Sequence, residues 1–139
     1  MSFSGKKFRR TGASNLDDFF KESNAPEQYK KILCSSAPTW CYTMLDAQTL
    51  QCEVMADNFD MKHLFTLGVE QELMGVDGSK GAYITFTLEG DNVLKQRIRK
   101  PNGAIANFRR EFYERSAIMT ITMEGADVRK AHVFFEMVD

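Results

Sequence analysis

From Thr39 onward, turn-forming residues interrupt the chain at short, regular intervals, and this spacing constrains the fold more than any other feature. Trp40–Leu45 and Thr49–Met55 flank Asp46-Ala47-Gln48, and Ala82–Leu88 and Asn92–Arg99 flank Glu89-Gly90-Asp91. Ala104–Tyr113 follows Pro101-Asn102-Gly103, while Ala117–Met123 and Arg129–Met137 flank Glu124-Gly125-Ala126. Turns at that interval mark an up-and-down antiparallel sheet that closes on itself. Within one segment Ile84, Phe86 and Leu88 fall on one face and Tyr83, Thr85 and Thr87 on the other, as in a two-faced wall. About ten such strands curled into a barrel enclose more space than their inward side chains fill, so a ligand cavity is expected.

Ahead of the strands the texture is helical. Asn15 with Asp18, and Asn24 with Glu27 around Pro26, have the form of capping boxes. They predict helices over Leu16–Glu22 and Pro26–Ser35. Leu16, Phe19, Phe20, Tyr29, Ile32 and Leu33 recur at helical steps and give one apolar face. Helices this short are marginal alone and need something beneath them. The 139 residues therefore read as a single domain, 1–139, with a helical lid at about 16–35.

Composition narrows the function. A net charge of −1 advertises no nucleic acid. Three cysteines, Cys34, Cys41 and Cys52, are an odd number without framework spacing, which suggests reduced thiols in a cytosol. Cys41 and Cys52 could face each other across a hairpin; the plainer reading is small apolar wall residues. The polar, basic start has no apolar signal-peptide core, and no window approaches the roughly 20 apolar residues of a membrane span. A soluble cytoplasmic protein is expected. His63 and His132 lie far apart, with no Cys or carboxylate at metal-ligand spacing. Phosphate-loop, nucleophile-elbow and HExxH motifs are missing from the sequence, so neither enzyme, metal nor cofactor is expected.

Three segments carry a family resemblance. The first is Lys6-Lys7-Phe8-Arg9-Arg10, followed by Asn15-Leu16-Asp17-Asp18-Phe19-Phe20. The others are Phe65-Thr66-Leu67-Gly68-Val69-Glu70 and Thr87-Leu88-Glu89-Gly90-Asp91. In this order, over essentially the whole chain, they resemble the intracellular lipid-binding proteins, the fatty-acid-binding and cellular retinoid-binding family. Leu16 stands where that family usually has an aromatic, and Arg10 where it has an aliphatic residue. The resemblance implies a ten-stranded antiparallel up-and-down β-barrel, calycin- or lipocalin-like, capped by a short helix-turn-helix. It also implies a carrier of one hydrophobic ligand that performs no chemistry.

The family meets an acid headgroup with an Arg on a late strand and an Arg-x-Tyr near the C-terminus. The first falls on Arg110, within Arg109-Arg110-Glu111-Phe112, and the second on His132-Val133-Phe134, which is similar to the Gln-x-Phe of the retinol-binding branch. A guanidinium inside a barrel keeps its proton and must be paired, and a carboxylate pairs it well. His132 could then add one hydrogen bond to the same headgroup. A register slip of one residue would instead point Arg110 outward beside Arg109, and His132 could be a plain wall residue. Arg99 aligns with an inward position, with Arg97 on the same face; an outward basic stripe with Lys95 is the alternative. Arg10 is expected to reach the barrel end or solvent. Of Phe134 and Phe135, adjacent on one strand, one should be exposed or covered from outside.

The remaining expected wall contacts are Phe8, Tyr42, Leu50, Cys52, Val54, Phe65, Phe86, Phe108, Phe112, Met119 and Ile121. Phe20, Lys21, Lys30, Lys31 and Phe59 would form the portal and lid. Those lysines either touch anionic membranes transiently or form a solvated helix face. A monomer is expected, cytoplasmic and also nuclear, carrying a long-chain fatty acid or similar hydrophobic anion. The alternatives are a retinoid or neutral isoprenoid carrier, or a barrel scaffold for protein interaction or nuclear-receptor signalling.

Overall fold

Two-residue periodicity turns one face of each strand toward a shared interior. The computed structural model describes residues 3–14, 39–56, 59–73, 82–100, 103–124 and 130–138. Ten strands form among them: β1 (Lys7–Ser14), β2 (Thr39–Met44), β3 (Thr49–Ala56), β4 (Phe59–Thr66), β5 (Gln71–Leu73), β6 (Ala82–Glu89), β7 (Val93–Arg99), β8 (Ile105–Phe112), β9 (Ser116–Met123) and β10 (Ala131–Val138). The strands expected from Trp40 onward are all present, with ends displaced by two residues at most. The helical pair expected over about 16–35, with Phe20, Lys21, Lys30 and Lys31, lies outside the described residues.

All the strands join one antiparallel sheet in the order β4-β3-β2-β1-β10-β9-β8-β7-β6-β5. Chain neighbours pair with each other, and β1 links the two halves by pairing with both β2 and β10. The sheet curls until its ends meet. There the Gln71 side chain accepts a hydrogen bond from the Thr66 N–H at 2.6 Å and donates to the Leu64 carbonyl at 3.3 Å. The Gly68 N–H completes the contact by donating to the Phe86 carbonyl at 2.8 Å.

The turns follow from local chemistry. Asp46 accepts bonds from the Gln48 and Thr49 N–H groups, each at 2.8 Å, and from the Thr49 hydroxyl at 3.0 Å. These bonds, the Gln48 one foremost, hold its carboxyl below the ordinary range. Gly90 turns the β6–β7 hairpin at φ 68°, a left-handed conformation that suits glycine.

The buried face of the barrel is lined by Phe8, Trp40, Tyr42, Leu50, Val54, Ile84, Phe86, Leu94, Phe108, Phe112, Met119 and Ile121, among others. Removing each large apolar side chain from water contributes about 1.5–3 kcal/mol. Phe3 packs in from the start of the chain, its ring stacked 4.6 Å from that of Phe112. Gly5 and Ser4 fix this segment: the Gly5 N–H donates to the Tyr42 carbonyl at 3.0 Å, and the Ser4 hydroxyl accepts from the Met44 N–H at 2.9 Å.

Candidate ligand-binding site

The alternation of β8 decides where Arg110 goes. Ala106, Phe108 and Phe112 are buried on one face of that strand, and Arg110, in step with them, must follow. It is 4% exposed, and it is the only charged side chain buried among the described residues. In register it stands between Leu94 of β7 and Met119 of β9. Its guanidinium carbon lies 5.0 Å from the Tyr42 ring centre, 5.6 Å from that of Trp40 and 5.8 Å from that of Phe108. Such ring faces attract a cation, but they do not accept its N–H groups in the way an oxygen does. Nη1 of Arg110 is buried and has no hydrogen-bond partner within the protein.

Arg110 opens onto a small cavity of about 10 Å³, bounded by Phe8, Trp40, Tyr42, Phe112, Ala117, Ile118, Met119 and Phe135. That is room for about one water or one carboxylate oxygen rather than an acyl chain. The rings around it are mutually braced. Trp40 stacks on Tyr42 (6.1 Å, 18°) and meets Phe135 edge-on (6.4 Å, 84°), and Tyr42 meets Phe112 edge-on (6.1 Å, 70°).

The expected wall residues Phe8, Tyr42, Leu50, Cys52, Val54, Phe65, Phe86, Phe108, Phe112, Met119 and Ile121 are all buried in the shared core. Cys52 pairs in register with Tyr42, whereas Cys41 pairs with Glu53, so the two thiols point to opposite faces and do not meet across the hairpin. Burial pushes the Cys52 thiol up to about 12, with the Arg110 charge acting in the opposite sense. Phe59 begins β4.

Three expected ligand contacts require correction. His132 and Phe134 do not face the interior. In β10 the buried residues are Ala131, Val133 and Phe135, while His132 is half-buried and Phe134 and Glu136 are exposed. The assignment from resemblance is one residue out, because a strand places its apolar set inward and a one-residue slip reverses every side chain. Phe134, 38% exposed, is thus the outer ring of the Phe134-Phe135 pair. Arg99 also faces outward. Its guanidinium bonds Glu70 at 2.8 Å and lies 4.5 Å over the Tyr83 ring. Arg97 joins Glu124 at 3.2 Å and Lys95 joins Glu89 at 2.8 Å on the same outer side. The basic stripe is a balanced, exposed ion-pair ladder, and pairs of that kind contribute little. Arg10 alternates with Phe8 onto the inner side opposite Phe135, half-buried, beyond the point where β1 pairs with β2.

Several inner residues were missed from the sequence. Trp40, Val133 and Phe135 line the interior; so do Gln96, between Phe86 and Phe108, and His63, between Cys52 and the Phe65 ring at 6.3 Å. Among the described residues no group of three or more His, Cys, Asp or Glu could hold a metal ion, and no helix is long and apolar enough to cross a membrane.

No protein-family model matches the sequence, and no curated protein sequence matches it either. Solved structures do match. A fatty acid binding protein of Schistosoma mansoni, in complex with arachidonic acid, superposes with a TM-score of 0.80 at 18% identity, covering 99% of this chain and 97% of that one. The chain has the fold of the fatty-acid-binding proteins. The Manduca sexta fatty-acid-binding protein gives 0.78 at 21% identity, over 96% of this chain and 98% of that one. The Drosophila melanogaster brain fatty acid-binding protein gives 0.75 at 25% identity, with the same coverages. This fatty-acid-binding-protein barrel agrees with the family resemblance of the three sequence segments, and in it the inner positions of β10 hold Val133 and Phe135.

Proposed function

We propose that the chain is an intracellular carrier that reversibly binds a long-chain fatty acid, or a similar hydrophobic anion, inside the barrel. Arg110 is the headgroup partner and performs no chemistry. The observation that carries this is a buried guanidinium, in a cavity otherwise bounded by aromatic and aliphatic side chains, whose Nη1 has no hydrogen-bond partner within the protein. An isolated buried charge costs several kcal/mol, and a carboxylate offsets that cost with a charge-assisted bond. The fold supports the same reading, since three similar structures are fatty-acid-binding proteins and one of them holds arachidonic acid. From the sequence, Phe20, Lys21, Lys30, Lys31 and Phe59 are assigned to the portal, where the lysines would touch anionic membranes during transfer. The protein would act as a monomer in the cytoplasm and the nucleus.

One observation favours a retinoid or neutral isoprenoid instead: Val133 and Phe135 bring no charge to the inner face of β10. Replacing Arg110 with Gln separates the two. Oleate affinity should fall about 10- to 100-fold, the worth of one hydrogen bond to a charged group, while retinol affinity stays level. Oleate affinity that barely changes would favour the neutral ligand. Failure of the wild-type protein to bind either would leave the barrel as a scaffold for protein contacts.

A further inference from the structure

We propose that the indole N–H of Trp40 is a second hydrogen-bond donor to the acid headgroup, acting beside Arg110. This rests on the carrier function proposed above and assigns a residue to its headgroup site.

Trp40 is 3% exposed, and its Nε1 is buried with no hydrogen-bond partner within the protein. A buried indole N–H ordinarily has one. Its ring is held from several directions, in register with Phe8 and Val54, stacked on Tyr42 and edge-on to Phe135. The ring therefore has little freedom to turn its nitrogen toward solvent. Trp40 and Arg110 line the same small cavity, with the guanidinium carbon 5.6 Å from the Trp40 ring centre.

Both orphan groups, Nε1 of Trp40 and Nη1 of Arg110, are donors, and neither side chain can accept a bond. Whatever satisfies both must be an acceptor with more than one oxygen lone pair to offer. A carboxylate meets that requirement, with one face toward the charge and the other toward the ring edge. An ammonium headgroup has no acceptor and would be rejected. Val133 and Phe135 supply no side-chain donor from β10, whereas Trp40 presents one from β2.

Trp40 is the only tryptophan in the chain, so the proton–nitrogen NMR spectrum holds a single indole signal. Titrating delipidated wild-type protein with oleate should move that proton downfield in step with binding. Trp40→Phe keeps a ring over the guanidinium and removes the donor, and should weaken oleate about tenfold. An indole proton that stays at its ligand-free position while oleate saturates the protein would overturn the Trp40 contact alone. Wild-type oleate affinity in the Trp40→Phe protein would do the same. Protein that takes up no oleate at all would overturn the carrier function with it.

Discussion

Replacing Arg110 with methionine should stabilise the ligand-free barrel while removing most of its affinity for fatty acids. Two opposing effects set the size. Relieving a buried charge that lacks a full hydrogen-bond complement recovers several kcal/mol, and at 4% exposure Arg110 bears most of that cost. Against it stand the contacts with Trp40, Tyr42 and Phe108, each worth about 0.5–2 kcal/mol. Methionine is long, unbranched and adaptable, so it keeps much of the packing. The balance is a gain of about 1–2 kcal/mol, or about 3–7 °C in Tm for a chain of this length. Thermal and urea unfolding of delipidated wild-type and Arg110→Met protein would measure it. Saturating oleate should then reverse the order, because only the wild type gains the full linkage stabilisation from a ligand that binds the native state. A variant less stable than wild type without lipid would refute the reasoning, showing the guanidinium to be a structural member rather than a group held in reserve for a ligand.

The register of β10 is tested by its two adjacent rings: Phe135→Ala should cost about 3–5 kcal/mol of stability, whereas Phe134→Ala on the outer face should cost less than about 1 kcal/mol. His132→Gln and Arg99→Gln, both on the outer side, should leave oleate affinity unchanged in isothermal titration. Cys52, with its thiol pushed up to about 12, should resist alkylation at pH 8 in the folded protein and react once urea unfolds it, as peptide mass mapping would show. Asp46, Glu70, Glu89 and Glu124 are all held below their ordinary values, by the Gln48 N–H, Arg99, Lys95 and Asn107 respectively. Their stabilisation is complete above the unfolded values of 3.8 for Asp and 4.5 for Glu and is lost as pH falls through the lower folded ones. Urea midpoints should therefore drop as the pH is taken below 4.5, and Glu89→Gln should remove part of that drop.

The strands were legible because turn chemistry and two-residue alternation are local. Asp46, Gly90 and Gly103 mark ends that chain geometry enforces, and Arg110 is flanked at two-residue steps by Phe108 and Phe112, so its inward direction is fixed by its own strand. The misplaced pair at His132 and Phe134 has the opposite origin. Ala131, Val133 and Phe135 against His132, Phe134 and Glu136 is an alternation readable in the sequence, and it is one residue out of step with the register that similarity to a distant family implies. A similar correction applies to Arg99, since Lys95, Arg97 and Arg99 alternate with Leu94, Gln96 and Ile98. Trp40 could not be assigned from the sequence. Its role depends on Arg110, about seventy residues away and brought beside it only by barrel closure, and no local pattern reports that a buried indole lacks a partner.

The most direct test is to purify the protein without added lipid, extract it with organic solvent and identify what is released by mass spectrometry. Near-stoichiometric long-chain fatty acids are expected, with Arg110→Gln protein yielding little. A neutral isoprenoid in their place, or an empty extract from protein that afterwards takes up neither oleate nor retinol, would contradict the assignment of Arg110 as the partner of an acid headgroup.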